Sequence, residues 1–110
     1  MTARAASGLL VSAMIRRVEA AGGHAMVLAK GDATAGAILL VIADRGVTLR
    51  IMERAMGPDG AYRWSPAGPA SFDEPGAAGD YIARRRRSDP DLWAVELDSP
   101  EAEVIAGELI

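Results

Sequence analysis

The chain has 110 residues, a net charge of -3 and no cysteine, with half of its residues hydrophobic and a quarter charged. That length supports one core and excludes two ordinary domains, and the composition is that of a folded chain rather than a disordered one. The absent cysteines exclude a disulfide framework, a thiolate zinc site and a cysteine nucleophile, and His24, the single histidine, excludes a multi-histidine metal cage within one chain.

Taken in order, Ser7 is expected to cap a helix that runs to about Ala21, where Gly22-Gly23 stops it. Leu10, Val11, Met14, Ile15 and Val18 fall on one apolar face of that helix. His24 to Lys30 reads as a strand, residues 31–36 as a connection, and Ala37 to Ala43 as an uninterrupted apolar strand. Asp44-Arg45-Gly46 turns the chain into a partner strand, Val47 to Arg54, whose Val47, Leu49 and Ile51 are assigned to the core. Gly57-Pro58-Asp59-Gly60 signals another turn before a short strand at Tyr62-Arg63-Trp64. A mobile loop is expected over 65–79, then a helix capped by Asp80 through Arg87, a strand from Leu92 to Asp98, and a helix opened by Ser99-Pro100-Glu101. The prediction is one α+β domain of order α-β-β-β-β-α-β-α, with a mainly antiparallel five-stranded sheet packed by two or three helices.

No apolar run approaches the roughly 20 residues that cross a bilayer, and the twin arginines Arg16-Arg17 follow the apolar stretch instead of preceding it. A cytoplasmic protein without a membrane contact is expected. The strand from Ala37 to Ala43 has no polar side, so both faces of the sheet need cover. Helices on one face only would leave the other for a second copy, which predicts a homodimer.

Several groups could carry chemistry. Gly31 and Gly36 have the spacing of the first glycines of a phosphate-binding loop, but Ala37-Ile38 replace its lysine and hydroxyl and a strand follows, so nucleotide binding is set aside. Arg84, Arg85, Arg86 and Arg87 form a basic run that could contact phosphate, with Tyr62 and Trp64 as stacking rings. The same run suits the last turn of a helix, and every charged residue after it is acidic, so internal pairing is expected and nucleic acid is not. Arg17, at the edge of the first helix's apolar arc, is expected to be partly buried and paired with Glu53, with Glu96 and Asp32 as alternatives.

Asp89 and Asp91 beside Trp93 could bind a cation or share a proton, but at a helix-to-strand corner they read as turn residues. Trp93, Val95 and Leu97 are assigned to the core, Trp64 to the exposed surface. His24 has no evident serine or aspartate partner and is not assigned as a base. No metal or cofactor is expected.

Ile15-Arg16-Arg17, Ala21-Gly22-Gly23, the stretch Lys30-Gly31-Asp32-Ala33-Thr34-Ala35-Gly36-Ala37-Ile38 and the corner Asp89-Pro90-Asp91-Leu92-Trp93-Ala94-Val95-Glu96 together resemble a family of short bacterial proteins, domain-of-unknown-function family fourteen ninety-one. The resemblance implies a small cytoplasmic bacterial domain and brings no assigned activity or catalytic residue. The functional expectation is therefore a small non-catalytic interaction or assembly protein, homodimeric or with another protein partner. The alternatives are an anion-binding domain or small enzyme with Arg17, Asp32, Glu53, Asp89, Asp91 and Glu96 in one pocket, and nucleic-acid binding through Arg84 to Arg87.

Overall fold

The computed structural model describes residues 6–110, which fold in the order α1 (Ser7–Ala20), β1 (His24–Ala29), β2 (Ile38–Asp44), β3 (Val47–Met56), β4 (Tyr62–Ala67), α2 (Ala77–Ser88), β5 (Trp93–Asp98) and α3 (Ala102–Glu108). This is the expected succession of elements in one α+β domain. No helix among the described residues is long and apolar enough to cross a membrane.

The sheet is mixed rather than mainly antiparallel, which corrects the expectation. Its strand order is β1-β5-β2-β3-β4, and the central pair, β2 with β5, is parallel from Ile38 opposite Trp93 to Ala43 opposite Asp98. The cause lies in the connection: after the two hairpins the chain recrosses the sheet through α2 and returns as β5 beside β2 in the same direction. β5 thereby separates β1 from β2, although these two are neighbours in sequence. The two most apolar strands occupy the interior, where both faces are covered, as parallel pairing requires.

Because β5 lies between them, the link from β1 to β2 must pass over the start of β5, and the contact is tight. A Cβ on Gly31 or on Gly36 would stand 2.2 Å from the Asp91 carbonyl oxygen. The Asp32 backbone N–H donates to that oxygen at 3.0 Å, and Trp93 Nε1 donates to the Asp32 carbonyl at 2.7 Å. The Asp32 carboxylate accepts from the N–H groups of Thr34 at 3.1 Å and Ala35 at 2.8 Å. The glycine-aspartate stretch and the aspartate-proline-aspartate-leucine-tryptophan corner are thus two halves of one crossing. Ser7 joins it from α1: it is buried inside the first turn and donates to the Gly36 carbonyl at 2.6 Å, so it anchors α1 to the crossing instead of capping the helix, whose N-cap is Ala6.

Two apolar layers sandwich the sheet. On one side Leu10, Val11, Met14 and Val18 of α1, with Ile105 and Ala106 of α3, pack on Ile38, Leu40, Ile42, Trp93, Val95 and Leu97. On the other, Ile82 of α2, with Tyr81 and with Phe72 from the preceding loop, covers Leu39, Val41, Ile51 and Ala94. Both faces of β2 are therefore closed within one chain, which removes the second-face argument for a partner. That α2 does this with one buried side chain, Ile82, is why its sequence reads as polar.

Three local corrections follow. β2 and β3 slip in register where Ile42 faces Arg50 but Ala43 faces Thr48, which leaves Leu49 as the extra residue of a bulge. The bulge turns Val47 to the side opposite Ile51, so Val47 and Leu49 are exposed while Ile51 is buried. The loop expected over 65–79 is shorter, since β4 runs to Ala67 and α2 begins at Ala77 behind a left-handed Gly76, leaving Asp80 in the first turn and not at the cap. Trp64 is half-buried instead of exposed, because its Nε1 donates to the Ala106 carbonyl at 2.9 Å and its ring packs under α3.

Candidate functional site

The six residues considered for an Arg/Asp/Glu pocket are divided: Asp32, Asp89 and Asp91 gather at the loop crossing, and Arg17, Glu53 and Glu96 stand elsewhere. Arg17 is half-exposed on α1 and pairs with Glu108 of α3. It does not meet Glu53, because α1 packs on the other side of the sheet. The arc that α1 presses on the sheet is confined to Leu10, Val11, Met14 and Val18, which leaves Arg17 outside it. Glu53 does share the Ile51 side of β3, and there it meets α2: Arg85 Nη1 and Nη2 donate to its two oxygens, each at 2.8 Å. Asp32 and Asp91 stand at the loop crossing, Asp32 with its carboxylate in its own turn. Asp89 accepts from the Asp91 N–H at 3.2 Å, the turn role expected of it. Glu96 stands alone between Met26 and Val41 on the α2 side of the sheet, with no ion pair among the described residues.

The arginine run divides inward and outward. Arg85 holds Glu53 and donates from Nη1 to the Tyr81 hydroxyl at 2.8 Å, and the Glu53 hydrogen bonds push its pKa still further above the usual arginine range. Arg86 donates to the Lys30 carbonyl at 2.9 Å and the Leu92 carbonyl at 2.8 Å, which ties the end of α2 to the loop crossing. Arg84 lies over the Tyr81 ring and Arg87 is exposed. Two of the four guanidinium groups thus hydrogen-bond within the chain, while Arg84 meets the Tyr81 ring and Arg87 is exposed. Tyr62 stacks under Arg54 with the guanidinium 4.6 Å from the ring centre.

What the sequence reading missed is β1. The strand is the last in the sheet, paired with β5 on one side only. Met26, Val27 and Leu28 are 58%, 40% and 43% exposed, three consecutive large apolar side chains on an edge strand. Its register with β5 is continuous from His24 opposite Asp98 to Val27 opposite Val95, and then shifts before Ala29. The signal was present in the sequence: Ala25 to Ala29 contains no charge, no proline and no alternation of polar with apolar.

These features define a class: a small mixed-sheet α+β domain closed on both faces and open at one apolar edge. The model of the family described as "Protein of unknown function (DUF1491)" matches residues 5–106, and the chain belongs to that family. A crystal structure of a DUF1491 family protein from Caulobacter crescentus CB15 is similar at 35% identity over 90% of this chain and 92% of that one, with a TM-score of 0.76. The NMR structure of a DUF1491 family protein from the same organism gives 34% identity over 92% and 91%, with a TM-score of 0.78. The solution structure of protein Atu0922 from A. tumefaciens is similar at 32% identity over 94% and 92%, with a TM-score of 0.70. No curated protein matches the sequence significantly.

Proposed function

We propose that this chain is a small non-catalytic assembly protein of the cytoplasm that works as a homodimer, two copies joining their β1 strands edge to edge. The observation that supports this reading is the run Met26, Val27 and Leu28, exposed on a strand whose outer edge has no partner among the described residues. Such an edge offers a row of backbone donors and acceptors, and a second copy of the same strand satisfies it about a two-fold axis. Antiparallel addition through His24 to Val27 would join two five-stranded sheets into one of ten. Main-chain hydrogen bonds then supply affinity and the apolar side chains cover one another.

The absence of cysteine gives a clean test. Single substitutions Ala25→Cys, Met26→Cys and Val27→Cys are made, with Ser65→Cys on β4 as the comparison, and each is oxidised at low micromolar concentration. Opposed strands bring paired Cβ atoms within disulfide reach. Rapid cross-linking to a dimer at one or more β1 positions, but not at Ser65, is expected. Equal and slow cross-linking at all four positions would defeat the proposal.

A further inference from the structure

Between α3 and the β3–β4 hairpin the sheet is left open, because α3 is only seven residues long and covers β2 more than β3. The opening is a groove of about 300 Å³ over Leu40, Ile42 and Met52, between Trp64 and the α3 residues Ala106 and Gly107. Arg63 and Glu103 also line it, and each is already neutralised by an ion pair, with Asp59 and Arg50 respectively. That volume stands at the small end of ligand pockets, which run from about 300 to 1,000 Å³, and suits a small molecule rather than a peptide helix.

Two observations point to an occupant. A glycine in the middle of a helix is destabilising by about 0.5 to 1 kcal/mol relative to alanine, and by less in the last turn, where Gly107 stands. A Cβ on Gly107 would meet nothing within 4 Å, so packing does not demand the glycine, and a longer side chain there would extend into open space beside the groove it lines. The second observation is Arg54. It sits opposite Trp64 in the β3–β4 ladder and over the ring of Tyr62, and both aromatic residues line the groove. Arg54 is half-buried and has no carboxylate partner among the described residues, whereas Arg63 has Asp59 and Arg50 has Glu103. A half-buried guanidinium beside an apolar cleft favours an anion whose remainder is apolar.

We infer that this groove binds a small amphipathic carboxylate, its apolar part between Trp64 and Gly107 and its carboxylate at Arg54. Trp64 in the wall and Trp93 in the closed core provide a reporter and its control. Octanoate, with octanol as its uncharged counterpart, is titrated into the isotope-labelled protein while the two indole N–H signals and the Gly107 amide are followed. Saturable shifts of the Trp64 and Gly107 signals with Trp93 unmoved are expected. Arg54→Gln should weaken octanoate roughly tenfold and leave octanol unchanged, since a charged hydrogen bond is lost. Gly107→Leu should abolish both. Absence of saturable shifts at millimolar octanoate would overturn the inference, and so would equal binding of the two probes with Arg54→Gln without effect. Arg54→Gln leaves the core untouched and decides the matter alone if Gly107→Leu disturbs the fold.

Discussion

The two edges of the sheet are built in opposite ways. β4 carries Pro66, which has no N–H to offer, and it is pinned by Trp64 to the Ala106 carbonyl and by Arg63 to Asp59 at 2.7 Å. These are devices that keep an edge from pairing with another chain. β1 has neither proline nor charge between Ala25 and Ala29, and it shows three apolar side chains to solvent. Its one irregularity, the register shift after Val27, lies at the far end and leaves His24 to Val27 in regular register. The contrast separates an edge blunted by its own residues from one that, among the described residues, stays open to a second strand.

Placing a charge on each edge should break the symmetry most visibly. Val27→Lys is expected to raise the dimer dissociation constant about a hundredfold, on the order of 2.7 kcal/mol, because it buries an unpaired ammonium against the partner strand. Ser65→Lys on β4 should leave the dissociation constant unchanged; analytical ultracentrifugation of the two variants reads both. The fastening of β4 comes next. Trp64→Ala should lower unfolding stability by about 2 kcal/mol, through lost packing and the lost indole hydrogen bond to the Ala106 carbonyl, as measured by urea denaturation.

Glu53, the cross-strand neighbour of Ser65, ties the β3–β4 side to α2. Arg85→Gln removes its three hydrogen bonds and should cost about 1 to 2 kcal/mol by the same denaturation assay, with no effect on dimer mass. The smallest effect concerns the turn before β4. The Arg63 guanidinium, aided by the Ala61 N–H, holds the Asp59 carboxyl below its ordinary 3.8. The folded form therefore binds the proton less readily than the unfolded chain, and this contribution is complete above pH 3.8 and fades as pH falls through the folded value. Arg63→Gln should move the Asp59 titration up toward 3.8 in a carbon-detected NMR titration.

Much of the fold was legible because it is local. The apolar run Ile38 to Ala43 announced a strand buried on both faces, and Trp93, Val95 and Leu97 announced their shared face; all are in the core. The strand order was not legible, since insertion of β5 between β1 and β2 is decided by long-range pairing and leaves only an indirect trace in Gly31 and Gly36. Parity on β3 failed at Leu49 because a bulge has no composition of its own. Arg17 was misplaced because a helical wheel gives an angle but not the width of the buried arc. α2 hid its covering role behind the arginines, of which Arg85 and Arg86 turn inward. The β1 edge was missed for a similar reason: its residues read plainly as a strand, but only the topology shows that the strand is outermost.

The account rests on β1 having a second copy as its partner, and the solution mass tests that most directly. Light scattering coupled to size exclusion, at tens of micromolar protein, should give twice the 11.5 kDa mass of the chain, falling to that of one chain for Val27→Lys. A single-chain mass for the unmodified protein at the same concentration would contradict it.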